Sequence, residues 1–220
     1  MGRRTLSALA AAAATALLIA GCGGSEDTKD DKIKGADKGG TSSSSPTPRK
    51  TVAADPDAPK VSFPDDFEFI TEFDQPADPK QAAALDGAVN FVRGIKHGIT
   101  RQDVKDPVHT YYSDPMGTAP TYARDQITKH IKGGWTLTGK DRFTRPEVRL
   151  AKGGKQAAVT FCEDQSQMFG KEVKSGKILR TEPSDKDYYY FEVTMVPVAK
   201  STVWQANSIT VNGEATQCKG

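Results

Sequence analysis

The sequence predicts an α+β fold, with three N-terminal helices packed on a curved antiparallel sheet. Two changes of pattern carry that reading: apolar residues recur at spacings of three and four from Asp78 onward, and after Gly134 the period becomes two. A third observation sets the limits of the domain. Residues 23–59 hold almost no large apolar side chain, so the folded part is residues 61–220, about 160 residues and enough for one core. Helices followed by a run of strands place the helices together on one face of the sheet.

The N-terminus carries its own signal. Arg3 and Arg4 precede an apolar run from Leu6 to Ala20, and the small residues Ala20 and Gly21 lead into Cys22, which is the anatomy of an export signal. The run is about 15 residues, short of the roughly 20 that a membrane-crossing helix needs. Residues 1–21 are therefore expected to be cleaved. Ile19-Ala20-Gly21-Cys22 resembles a bacterial lipobox, which implies a diacylglyceryl thioether with palmitate-like chains on Cys22 and a place on the outer face of the cytoplasmic membrane. Each buried CH₂ contributes about 0.8 kcal/mol, so two or three chains hold firmly.

With Cys22 assigned to lipid, Cys162 and Cys218 remain as a pair. In an oxidising compartment they are expected to be bonded, closing a loop of about 57 residues worth roughly 4 kcal/mol. The chain has 30 Lys and Arg against 28 Asp and Glu, but two of the cations, Arg3 and Arg4, leave with the signal. A balanced mature chain gives no electrostatic case for nucleic acid. Residues 22–60 then read as a lipidated Cys followed by a Gly-, Ser-, Thr-, Pro-, Lys- and Asp-rich tether that buries too little surface to order itself. About 37 such residues reach roughly 30–35 Å.

Within the domain, Asp78 is an N-cap, Pro79 stands at N1 and Gln81 is placed to complete a capping box. Leu85, Ala88, Val92, Ile95 and Ile99 make one face of a long helix expected to end near Gly98. Asp106-Pro107 opens a short helix to Tyr111 or Tyr112. A third runs from about Pro120 to Lys132 and stops at Gly133-Gly134. Trp135 to Leu150 and Gln156 to Cys162 read as strands joined through Gly153-Gly154, with Glu163-Asp164 starting a turn. In Tyr188 to Met195, Tyr189, Phe191, Val193 and Met195 share one face, leaving Tyr188 and Tyr190 on the other. A last strand pair is expected over 202–210 and 211–218, and the slip of apolar parity between Trp204/Ala206 and Ile209/Val211 predicts a β-bulge.

Long helix, short helix, medium helix and then a meander is the order of the cone-shaped NTF2-like (cystatin-like) fold. Phe63-Pro64-Asp65-Asp66, Thr138-Gly139-Lys140-Asp141-Arg142, Thr160 to Ser166 and the Trp204 to Cys218 segment together resemble a family of secreted actinobacterial lipoproteins. The resemblance implies the NTF2-like fold and the Cys162–Cys218 bridge, and no shared catalytic set.

A cone of this kind has a cavity between the long helix and the sheet. Asp86, His109 and Tyr112 are the candidates to line it, each with an ordinary alternative: a solvated helix carboxylate for Asp86, packing with one hydrogen bond for the other two. His97 and His130 stand in last helical turns, where a cation meets the dipole. The three histidines share no HxxxH or HxH spacing, so no metal is expected, and no sequence feature points to a cofactor. Tyr188 and Tyr190 are candidates for an interaction face, or for plain cross-strand support. The resulting expectation is a non-enzymatic binding or interaction module for an envelope protein or glycan, with a homodimer through the sheet face among its arrangements. The alternative is small-molecule binding or catalysis inside the cone. A Cys22→Ser chain should lose its membrane attachment and appear in the aqueous phase of a detergent partition; retention in the membrane fraction would contradict the lipid anchor.

Overall fold

The computed structural model describes residues 55–220, so the signal segment, Cys22 and the tether as far as residue 54 lie outside the described residues. The long helix starts as its sequence requires. Asp78 is extended (φ −72°, ψ 123°), and its carboxylate accepts from the backbone N–H groups of Lys80 and Gln81 at 2.9 Å each. The capping box does not close, because the Gln81 amide donates to the Val148 carbonyl at 3.1 Å and pins the helix start to the sheet. This helix, α1, runs Pro79–Arg101, about a turn beyond its expected end, and stops at Gln102 in the left-handed region (φ 55°). Helix α2 is Pro107–Tyr111, capped by the Asp106 side chain on Val108 N–H, and α3 is Ala119–Gly133, closed by Gly134 at φ 73°. Gly94 is the contact point between α1 and α2: a Cβ there would stand 2.4 Å from the His109 backbone nitrogen.

The sheet has six strands: β1 Phe67–Thr71, β2 Trp135–Leu150, β3 Ala157–Glu172, β4 Ile178–Leu179, β5 Tyr188–Pro197 and β6 Trp204–Gly213. Their order is β1-β2-β3-β5-β6, with β4 paired to the far end of β3. The fold is therefore mixed α+β, with three corrections to the order read from the sequence. First, the helices do not all come first. β1 precedes α1 and pairs with β2 in parallel, Phe67 opposite Gly139, so the sheet is not wholly antiparallel. Second, β3 does not stop at Cys162. The ladder to β2 continues to Glu172, and the turn chemistry of Asp164 is spent on a bulge, where its Oδ1 accepts from Ser166 N–H at 2.8 Å while the register shifts between Lys140/Gln167 and Arg142/Asp164. Third, the C-terminal segment is one strand and not two. The predicted slip of parity is a bulge at Asn207, between the pairs Thr194/Ser208 and Met195/Ala206; β6 continues past it to Gly213, and a 3-10 turn then spans Thr216–Cys218.

Bulges bend the strands that carry them, and here a bulge also serves as a docking point. The Asn207 carbonyl accepts from Thr118 N–H at 2.7 Å and its side chain donates to Asp114 at 2.8 Å, so the α2–α3 connection is fastened to β6. A Cβ at Gly117 would stand 2.0 Å from that same carbonyl, which requires glycine there. The core lies between α1, α3 and the inner sheet face, with Leu85, Phe91, Phe143 and Phe161 fully buried and Phe161 stacked on Phe191 at 5.1 Å.

Cys162 on β3 and Cys218 in the last turn are joined, with Cα atoms 5.3 Å apart, as expected. The bridge holds down a segment that has left the sheet. Among the described residues no helix is long and apolar enough to cross a membrane. Cys218→Ser should lower the unfolding free energy by about 3–4 kcal/mol in denaturant titration, the order expected for a loop of this length. An unchanged midpoint would mean that the turn is held by its packing alone.

Candidate functional site

Three charged side chains stand where apolar ones are due. Lys96 follows Val92 by four positions and precedes Ile99 by three, which puts it on the buried face of α1. Asp141 shares the inward parity of Leu137 and Phe143 on β2, and Glu163 that of Val159 and Phe161 on β3. All three meet. Lys96 Nζ lies 2.5 Å from Glu163 Oε1 and 3.1 Å from Asp141 Oδ2, with the carboxylate side chains at 1 % and 0 % exposure. The contact with Glu163 is a charge-assisted hydrogen bond. That with Asp141 has ion-pair distance without hydrogen-bond direction, so neither Asp141 oxygen has a donor.

Two carboxylates and one ammonium in a dry site cannot all carry full charge comfortably. Burial, and next the negative charge of Glu163, hold the Asp141 carboxyl well above the ordinary carboxylate range, while Lys96 pulls the other way. Burial alone would push Lys96 down, but the fields of both carboxylates outweigh it and keep the ammonium above its usual value. The cluster is thus a buried Lys96–Glu163 ion pair beside an Asp141 carboxyl whose ionisation is disfavoured. Tyr122 is pushed up to about 12 by burial and then by the charge of Glu163, and Tyr189 is raised by the same two causes.

Above the cluster is a cavity of about 270 Å³ between the C-terminal half of α1, α3 and the inner sheet face. Val92, Ile95, Ile99, Leu137, Phe191 and Val211 form its apolar walls. Lys96 and Glu163 contribute its charged part, with Tyr122 and Tyr189 alongside, and Gln126, Lys129, Trp135 and Gln165 belong to the same lining. Leu85, Val92, Phe191 and Trp204 are buried in one core, Val92 and Phe191 at its border with this cavity.

The residues read from the sequence as pocket candidates divide. Asp86 and Tyr112 share a different cavity, of about 590 Å³, with Asn90, Arg93, Gln75 and Trp204. There Asn90 bridges the charges, donating to Asp86 at 2.9 Å and accepting from Arg93 at 2.5 Å, and the Arg93 guanidinium lies 4.8 Å from the centre of the Phe69 ring. Burial raises the Asp86 carboxyl against the opposing pull of Arg93. His109 joins neither cavity. Its Nε2 is 3.0 Å from the Val104 carbonyl, and burial holds the ring below its usual value. His97 does more than meet a helix dipole: its Nδ1 is 2.7 Å from Asp106, the cap of α2, and so ties α1 to α2. Tyr188 and Tyr190 are half-buried, packed against Cys162, Ala215 and Cys218 and not laid open on the sheet.

Lys96→Met should cost about 3–5 kcal/mol, because it leaves the buried Glu163 carboxylate without its cation. For Asp141 the raised value means that any stability its protonated form contributes is present below the ordinary 3.8 and lost as pH rises through the folded value. Asp141→Asn cannot ionise, so its stability relative to the native chain should improve from pH 4 to pH 7 in paired denaturant titrations. A variant that instead weakens more at pH 7 would show Asp141 acting as an ionised partner. No protein-family model matches the chain and no curated protein matches it, so the chemistry of the site is read from its own geometry.

Proposed function

We propose that this chain is a lipid-anchored extracytoplasmic binding protein, non-enzymatic, whose domain is an NTF2-like cone and whose ligand site is the cavity above Lys96 and Glu163. The single observation behind it is a space of about 270 Å³ with largely apolar walls, a buried ion pair at its base, and the side chains of Tyr122, Tyr189, Gln126, Gln165, Lys129 and His130 as its remaining polar lining. Small-molecule sites have this composition: apolar walls with a few fixed polar groups. The ligand class that fits is a small amphiphile, its polar end toward Lys96, Glu163 and the Tyr122 and Tyr189 side chains, its apolar body against Ile95, Ile99 and Val211. Lys96 and Glu163 neutralise one another, which suits holding a ligand better than attacking one.

The wider setting agrees with this reading. A disulfide between Cys162 and Cys218 suits a compartment outside the reducing cytoplasm, and helices laid on a bulged sheet suit a cone. Within the secreted actinobacterial lipoproteins that the sequence resembles, the anchor on Cys22 would keep the domain at the outer face of the membrane, near an envelope ligand. Binding through Tyr188 and Tyr190 is the less favoured route, since the C-terminal turn already covers part of both.

Native mass spectrometry of the protein isolated from its own envelope tests the cavity. A bound small molecule is expected on the native chain. It should be missing from Gln126→Trp, which fills the space from the partly exposed side of α3 without touching the ion pair. A bare mass for the native protein, or equal loading of the variant, would overturn the proposal.

A further inference from the structure

Four large apolar side chains are exposed among the described residues, and three of them, Trp135 (43 %), Val173 (48 %) and Ile178 (38 %), stand at one end of the sheet. The ladder brings them to that end, Trp135 on the face that lines the cavity and Ile178, opposite Lys171, on the other face. Trp135 opens β2 opposite Glu172, Val173 N–H donates to the Gly134 carbonyl at 2.9 Å, and Ile178 pairs with Lys171. Basic residues surround them. Lys129 and Lys132 come from the last turns of α3, Lys174 and Lys177 from the β3–β4 turn, and all four are exposed and form no ion pair with another described residue. Arg180 follows β4, its guanidinium 4.9 Å from the centre of the Phe169 ring. The one acid inside this hairpin, Glu172, accepts from the Ser175 hydroxyl at 2.5 Å.

We propose that this end of the sheet, Trp135, Val173 and Ile178 within a ring of lysines, docks on an anionic membrane surface. Indole and aliphatic side chains settle at the headgroup boundary while lysines meet lipid phosphates, and the two attractions add. Charge complementarity selects the membrane: at this end Lys129, Lys132, Lys174, Lys177 and Arg180 form no ion pair with another described residue, while Glu172 is engaged by Ser175 and Asp66 by Lys171, in a protein whose mature charges balance. The tether permits it, a step that rests on the anchored reading above. α1 begins beside Val148 and ends beside Trp135, so its 23 residues separate the two ends of the sheet by about 35 Å. Asp55, where the described chain begins, is held by Ser201 in the β5–β6 turn at the opposite end. The 33 residue steps from Cys22 to Asp55 can span at most about 110 Å, ample for the far end to reach the surface that holds the lipid. Trp135 and Lys129 also line the cavity, so docking brings that part of its wall to the bilayer.

The test uses the chain from Gly23 onward, which contains the whole described domain but no lipidation site, so its outcome does not depend on the anchor. The anchor is judged separately, by the mass of the mature N-terminus. Vesicles of phosphatidylcholine alone are compared with vesicles containing about one third phosphatidylglycerol. Binding to the anionic vesicles is expected, released by about 0.5 M salt, with a blue shift of the Trp135 emission; Trp204, at 4 % exposure, stays silent. Each lysine near the surface changes partitioning about five-fold, so Lys174→Gln with Lys177→Gln should weaken it about 25-fold. Both sites are exposed, and the fold is not at risk. Absence of binding at low salt, binding that the double variant retains, or binding with unmoved Trp135 emission would each overturn the proposal. So would Trp135 cross-linking to an envelope protein while vesicles are ignored, which would make this end a protein contact.

Discussion

The contact of Lys96 with Glu163 and Asp141 is the interaction on which the rest of this architecture turns. It joins one helix to two strands at their centre, and it does so with groups that lose strong hydration on burial. An ion cluster of this kind is seldom the most stabilising occupant of its position, since well-packed apolar side chains of equal volume commonly do as well or better. What it supplies is discrimination. A rotation of α1 by one residue, or a one-residue slip of β3 against β2, would leave a buried charge without its partner, a penalty far larger than that of a displaced methyl group. The cluster therefore selects one seating of the helix on the sheet.

The seating is then fixed from both ends. At the start of α1 the Gln81 amide reaches the Val148 carbonyl, and at its end the Gln102 amide bonds the Trp135 carbonyl at 2.9 Å. Between them Gly94 lets α2 press onto α1, and His97 holds the Asp106 cap of α2. On the sheet, the bulge after Asp164 separates two phases of β3. Glu163 points inward on one side of it, and on the other Met168 takes up the inward role with the opposite parity. Without that extra residue, the far end of β3 would turn its polar face to the cavity. The disulfide acts on the outer face, where it keeps the C-terminal turn over Tyr188 and Tyr190.

Much of this was readable from the residues. The caps at Asp78 and Asp106, the Gly134 stop, the period-two phase of Tyr189 to Met195 and the parity slip before Ile209 are local signals, and the elements follow them. Elements defined by a remote partner were not readable in the same way. β1 has five residues, and its pairing partner lies 72 positions away; the second half of β3 is a strand because β2 is there to bond it. The site was missed for a different reason. Lys96, Asp141 and Glu163 each occupy an apolar phase of their own element, a visible contradiction between residue type and position. The histidines and the carboxylate at the edge of the stripe point instead to Asp86, His109 and Tyr112, which are divided between two other regions. A charged residue in phase with a buried face is the better signal, because only a partner of opposite charge makes it tolerable.

The cavity and the cluster are best understood as one feature. In the N-terminal half of α1 the side chains facing the sheet are apolar, Leu85 and Ala88 sharing one buried cluster with Met195 and Trp204. In the C-terminal half, any side chain large enough to close the cavity would have to press an apolar surface against the Lys96–Glu163 pair and remove what polar surroundings remain. Cores reach native density by matching shape to shape. Here the inward positions are taken by charges that need one another more than they need neighbours. Space is left beside them, at the end of the sheet that also carries the exposed Trp135. A charge-defined seating of one helix thus accounts for the space left beside the C-terminal half of α1.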